Sequence, residues 1–217
     1  MKQPLIDFVR KHHIGSRLRF FAYFFSNRLN VPMLRLLCAA YRTHSWLRRC
    51  SIVDAGKNNV ITIGHNCRLS GLRFYMTGDN NAIRLGNNVC VNASKQQPTF
   101  LNACLSTSIR IDDDCLLSNS VEIHTLDYHP IFDNRSVPIN PPQDVHLGQH
   151  CWIGLRALIL KGVDLSDNTI VGAGSVVTHS VNQPSVIIAG NPARIVKSDV
   201  HWEDEVTISG TPITEHR

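Results

Sequence analysis

Several things are missing from this chain of 217 residues, and each absence removes a class of protein. No stretch of about twenty apolar residues is free of charge, which argues against a membrane-spanning helix. The N-terminus carries no signal-peptide pattern. No CxxC or CxxH pair suggests a zinc site, and nothing else in the sequence calls for a metal. The seven cysteines are odd in number and scattered, so they do not read as a disulfide framework. Reduced cytosol is the expected compartment. No RNA or DNA motif accompanies the basic residues, and the single Gly-x-Gly at Gly172–Gly174 is too little for a phosphate loop.

What is present is a period of six. Branched aliphatics recur at Leu147, Ile153, Ile159, Leu165, Val171 and Val177 without a miss. Four residues after each of the first five stands Cys151, Ala157, Val163, Thr169 or Ser175. Neither the 3.6-residue helix nor the two-residue strand makes a strict six; a hexapeptide period marks a β-helix solenoid. Each hexad supplies a short strand and a turn. The aliphatic fills the core and the small residue fits the corner. Gly, Asn and Asp at the turns tolerate left-handed backbone angles. Three hexads make a coil, so 147–164 and 165–182 read as two stacked coils. Weaker copies run from Ile63 to Leu69, from Leu85 to Val91, and through Ile111, Leu117 and Ile123. Cys67, Cys115 and Cys151 fall in the small inward slot, which is packing behaviour.

At 43% apolar the chain can bury a full core in one domain. Its net charge of +5 is uneven: residues 1–50 hold ten Lys/Arg and one acid, Asp7, while the remainder is mildly acidic. Phe20, Phe21, Tyr23, Phe24 and Phe25 lie among Arg17, Arg19 and Arg28. Two or three helices are expected in this segment, broken near Gly15-Ser16 and before Pro32. Such a basic amphipathic region suits an anionic membrane surface, or it caps the first coil, as solenoids require. The expected organisation is an N-terminal helical region over 1–50, a β-helix over 51–198 and a tail over 199–217.

Between Ile123 and Val145 the rhythm stops. The loop 124–145 contains Thr125, Asp127, Tyr128, His129, Pro130 and Arg135, and returns through Pro138, Pro141 and Pro142. A long loop thrown out of a regular solenoid is usually functional. Histidine titrates near neutrality and so suits deprotonation of a hydroxyl. His124, one residue past Ile123, is the nearest rival to His129.

Thr-x-Asp-x-His-Pro followed by Gly-x-x-x-Trp-Ile-Gly, here Thr125, Asp127, His129, Gly148, Trp152, Ile153 and Gly154, resembles the sugar and polysaccharide O-acetyltransferases of the hexapeptide-repeat acyltransferases. The ending Ala189 to Lys197 is similar to the segment that closes their β-helix, and the resemblance covers roughly residues 55–198. It implies a mainly β fold, a left-handed parallel β-helix, although parallel crossovers are normally right-handed. It implies a homotrimer with acetyl-CoA held in the groove between neighbouring β-helices, and no metal. By matching positions, His129 is the general base, with Asp127 or a backbone carbonyl orienting its ring. Trp152 lies by the active site. Trp152, Leu155, Ala173 and Thr178 line the acetyl-CoA groove, Arg194 and Lys197 meet its phosphates, and Asn102 and Arg135 face the acceptor. The function implied is acetyl transfer to a hydroxyl of a surface glycan, such as capsule or lipopolysaccharide, or its precursor, in a cytoplasmic enzyme, with its basic N-terminus possible as a peripheral contact at the inner membrane face. The alternatives are N-acetyl transfer to a nucleotide-linked amino sugar, for which no sugar-nucleotide feature is seen, and a non-catalytic β-helix scaffold.

Overall fold

The computed structural model describes residues 31–204, 207–208 and 211–212; the aromatic and arginine cluster of residues 17–28 lies outside them. Helix α1 (Val31–Arg42) opens this part of the chain. Pro32 sits in its first turn, where a missing N–H is tolerated, and Arg42 lies in its last turn, where a cation meets the helix dipole favourably. Met33, Leu36 and Ala40 make one buried stripe. That stripe packs on the first coil, strands Trp46–Arg48, Ser51–Ala55 and Val60–Ile63. The helix therefore closes one end of a prism. Among the described residues no helix is long and apolar enough to cross a membrane.

The prism has three faces of stacked parallel strands. The first face begins at Trp46–Arg48, the second at Ser51–Ala55 and the third at Val60–Ile63. The stack thus starts at Trp46, ahead of the boundary expected at residue 51. Each face carries an inward ladder. Leu47, Leu69, Val91, Leu117, Ile153, Val171 and Ile188 pair in turn along the first. Ile52, Phe74, Leu101, Ile123, Ile159 and Val177 do so along the second. Ile63, Leu85, Ile111, Leu147 and Leu165 do so along the third. All are buried and form one core. Parallel pairing about 4.8 Å apart lets each coil satisfy the open edge of the one before.

The small inward slot is a column of its own. Ser45, Cys67, Cys115, Cys151 and Thr169 are buried in it, with Val89 between Cys67 and Cys115. Ser45 Oγ receives the Cys67 N–H at 2.9 Å, and Cys115 Sγ receives that of Cys151 at 3.4 Å. All seven cysteines are free. Burial pushes the Cys50 thiol up to about 12 and raises Cys67, so these sulfurs pack rather than react.

The stacked coils refine two readings. Left-handed angles occur at Asn66, Asn88, Asp114, His150 and Asn168, one per coil at the corner between the third and first faces. Gly148, Gly154 and Gly172, however, do not adopt them. A Cβ at Gly154 would stand 2.6 Å from the Val171 carbonyl oxygen, and one at Gly148 would be 2.8 Å from that of Leu165. These glycines answer the close approach of the next coil. The second change concerns the last coil, which is short: Leu165 bridges Val181 instead of a partner eighteen residues on. An antiparallel strand, Ala193–Ser198, then covers Val186–Gly190 and closes the first face.

Candidate functional site

The step from Leu117 to Ile153 is thirty-six residues, against eighteen from Ile153 to Val171. The difference is one coil's worth of chain, and it forms the loop between the second and third faces. Thr125 is its buried root. Its Oγ1 lies 2.6 Å from that of Thr107 and accepts the Cys104 N–H at 3.0 Å. Its backbone carbonyl receives the Gln143 N–H at 2.9 Å, which ties the two stems together. Beyond, residues 131–139 fold back as a hairpin, with Ile139 N–H donating to the Ile131 carbonyl and Phe132 bridging Pro138. Arg135 sits exposed at its tip, its N–H on Asp133 Oδ1. Ile131, Phe132, Val137 and Ile139 are exposed apolar residues of the same hairpin.

Just before His129 the backbone is strained. Its N–H donates to the Asp127 carbonyl at 2.8 Å across Tyr128, whose φ is 63°. This is the rare form of γ-turn with a positive central φ. A tyrosine in that region costs roughly 1–2 kcal/mol, a strain of the kind that collects at functional sites. Asp127 does not hold the His129 ring. Its Oδ2 pairs with Lys161 Nζ and accepts Asn140 Nδ2 at 2.9 Å. The Lys161 ammonium holds the Asp127 carboxyl below its usual range, with help from Asn140. Asn140 also donates to the His129 carbonyl at 2.9 Å and accepts the Ile131 N–H at 2.6 Å. Among the described residues the His129 imidazole makes no hydrogen bond, and it is exposed.

At the foot of the loop the outer side of the second face holds a cleft of about 300 Å³, lined by Tyr75, Phe100, Asn102, Glu122, His124 and Tyr128. Strand register explains the grouping: Tyr75, Asn102 and His124 are successive partners, as are Phe100 and Glu122. Both His124 nitrogens are engaged, Nε2 with Glu122 Oε2 at 2.9 Å and Nδ1 with the Tyr128 hydroxyl at 3.3 Å. A carboxylate only accepts, so Nε2 donates to Glu122, and in the neutral ring Nδ1 accepts from the Tyr128 hydroxyl. Asn102 is only 5% exposed, yet its side-chain amide has no partner among the described residues. The amide atoms are not sealed from solvent; what surface they keep opens on the cleft.

The remaining predicted residues divide between edges. Leu155 and Ala173 lie at the corner between the first and second faces, where the Gly174 N–H donates to the Leu155 carbonyl at 2.7 Å. Arg194 pairs with Ala189 and Lys197 with Ile187. Residues three apart on a regular strand face opposite ways, but a bulge here restores the parity and turns both cations outward. Thr178 stands at the far end of the strand Val176–Val177, at the corner between the second and third faces. Trp152 projects, 38% exposed, from the first face, whereas Asn102 and His124 are on the second. One chain therefore does not gather Trp152 with the loop. Asn140, Lys161, Glu122 and Tyr75 carry no hexad signal and were missed; Tyr128 stood in the loop without a role. No three His, Cys, Asp or Glu side chains among the described residues gather as a metal site.

Residues 145–179 match the family model for the hexapeptide repeat of succinyl-transferase. A polysialic acid O-acetyltransferase of Neisseria meningitidis is 32% identical over 177 residues, spanning 74% of this chain and 82% of that protein. The crystal structure of the polySia-specific acetyltransferase NeuO superposes with a TM-score of 0.60 at 24% identity, covering 75% of this chain and 82% of that one. A variant of the N-acyltransferase AntD from Bacillus cereus, solved with dTDP and coenzyme A, superposes at 0.54 and 20% identity, covering 78% and 90%. These two structural likenesses bear on the fold alone.

Proposed function

The chain belongs to the hexapeptide-repeat acyltransferases, enzymes built on a left-handed parallel β-helix, and from that premise we propose that it moves an acetyl group from acetyl-CoA to a sugar hydroxyl. Its acceptor is a surface polysaccharide or the precursor of one. The observation that carries this reading is the cleft on the second face, where the unpartnered amide of Asn102 lies at the root of a strained, histidine-bearing loop. An amide with free donor and acceptor atoms beside Tyr75 and Phe100 suits a pyranose, which offers hydroxyls on its edge and C–H groups on its faces.

His129 is the base in this reading, because its imidazole is free while both nitrogens of His124 are occupied. The His129 ring takes the hydroxyl proton as the sugar oxygen attacks the thioester carbonyl. The tetrahedral oxyanion then collapses, the C–S bond breaks, and the imidazolium returns the proton to the thiolate. Asp127 acts through Lys161 and Asn140 on the path of the loop, and is a positioning residue. Leu155, Ala173 and the outward cations Arg194 and Lys197 fit a groove for the donor's pantetheine and phosphates. Trp152 lies on another face from the loop, so the complete site is drawn from two copies of a homotrimer, with the apolar hairpin reaching a neighbour. The basic N-terminus suits a peripheral contact with the cytoplasmic membrane face.

Thiol release from acetyl-CoA across a panel of glycans, sugar nucleotides and amino sugars tests the reading. Hydroxyl-dependent release that disappears in His129→Ala, with CoA affinity kept, is the expected result. Release with amines alone would mean N-acetyl transfer, and neither binding nor turnover would mean a scaffold.

A further inference from the structure

Beyond the closing strand, residues 199–204 run back across the outside of the first face. Three contacts hold them there. The Val200 N–H donates to the Ser185 carbonyl at 3.1 Å in the last coil. Trp202 lies flat on the His150 ring, centroids 4.3 Å apart and planes 9° apart, and its Nε1–H donates to the His150 carbonyl at 2.7 Å. Asp204 then pairs with Arg68 at 2.9 Å, several coils away. The last contact is an exposed ion pair, of the kind that contributes little. The stacked and hydrogen-bonded indole is the firm one.

This tail brings a second indole to Trp152. The two rings are 6.0 Å apart between centroids and tilted by 44°. Trp152 keeps 38% of its surface open, so the pair forms a wall with one side held and the other free. Ile170, the outward strand partner of Trp152, is only 8% exposed, which fits a tail lying over this part of the face. His150, in turn, is fixed by its Nδ1 contact with Asn168 Oδ1 at 2.7 Å. The chain of contacts thus runs from a turn of the β-helix through His150 and Trp202 to Trp152.

We propose that Trp202 is a positioning residue for Trp152, and that the two indoles together form the wall of the acyl-donor groove. This rests on the reading that Trp152 lines that groove. A freely rotating indole would lose orientational freedom each time the donor bound; one held by Trp202 has already lost it. The tail is then part of the site rather than an appendage.

The test uses the full-length chain with Trp152→Ala, Trp202→Ala, Trp202→Phe and the double alanine variant. CoA itself is titrated by calorimetry, and KM for acetyl-CoA is read beside kcat. Trp202→Ala is expected to weaken CoA binding and raise KM about tenfold, with kcat changed less. Trp202→Phe keeps the stack without the Nε1 hydrogen bond and should recover most of the loss. The double variant should be little worse than Trp152→Ala, since contacting residues are not additive. Two tilted indoles at this separation also give an exciton-split circular dichroism band. Either single alanine variant should abolish it, and saturating CoA should shift it in the wild type. CoA binding that is unchanged in Trp202→Phe and Trp202→Ala while lost in Trp152→Ala would overturn the proposal. Unchanged binding in Trp152→Ala would overturn both the proposal and the donor-groove reading beneath it, while the His129→Ala assay would still decide the transferase activity.

Discussion

Asp127 Oδ2 is shared between Lys161 Nζ, from the following coil, and Asn140 Nδ2, from the far stem of the same loop. The Lys161 ammonium also donates to the carbonyls of Asn140 at 2.9 Å and Pro141 at 3.1 Å. One cation and one carboxylate therefore set the path of the segment that carries His129.

The pH dependence of that clasp has a definite sign. Lys161 depresses the Asp127 pKa in the folded chain below the ordinary 3.8. A depressed carboxylate contributes stability above its unfolded pKa and loses it as pH falls through the folded value. The protection of the amides of residues 128–140, relative to their intrinsic exchange rates, should therefore hold at neutral pH and fall below about pH 4. Lys161→Met should bring fast exchange at neutral pH, with little change in the core. Exchange in that variant equal to wild type would mean the clasp does not hold the loop.

The two histidines should separate cleanly. Loss of a general base typically costs 10²–10⁴-fold in rate, so His129→Ala should lower kcat by at least about a hundredfold. His124→Ala leaves the Tyr128 hydroxyl and Glu122 without their shared partner, and should chiefly raise KM for the acceptor. The reverse pattern would assign the base to His124.

Asn102→Ala removes an amide that bonds to nothing within the described fold. Thermal stability should be unchanged or slightly higher, while KM for the acceptor rises about tenfold, as for one hydrogen bond of roughly 1.5 kcal/mol. A fall in Tm of several degrees with unchanged KM would make Asn102 a structural residue.

Gly154 and Gly174 should respond differently to alanine. At Gly154 the new Cβ meets backbone, Val171 O at 2.6 Å and Ala173 N at 2.8 Å, so the coils must part. Overpacking of this kind costs about 1–3 kcal/mol. At Gly174 nothing lies within 4 Å, and only the φ of +70° is penalised, at roughly 1 kcal/mol. Denaturant unfolding of both variants checks the order; a smaller loss at Gly154→Ala would contradict the close coil approach.

The ladders were legible because a six-residue period leaves one inward aliphatic per strand, and Leu147 to Val177 keep it without interruption. Upstream it is fainter for a physical reason. Coils there advance by twenty-two or more residues, as from Leu47 to Leu69 and from Val91 to Leu117, since longer strands such as Leu72–Thr77 and Thr99–Cys104 interpose extra alternations. The loop was recognisable by its break in rhythm, and Thr125 by its motif. The partner of Asp127 was not, because Lys161 lies thirty-four positions away in a hexad turn where any polar residue would fit. Nor did periodicity point to Trp202, which acts from outside the repeat. The glycines after Leu147, Ile153 and Val171 were conspicuous, but crowding by the next coil cannot be told from a left-handed turn until the coils are stacked.

The loop adds one coil's length between Leu117 and Ile153, yet no ladder slips by a residue. Thr125 and Gln143 close its stems with a single hydrogen bond, and each strand answers only to the strands beside it. The corner thus works as a socket: whatever is inserted between those two residues, the rungs above and below stay in phase. A segment of another sequence grafted there would inherit an intact scaffold, so the loop can diverge at this corner while the prism stays unaltered.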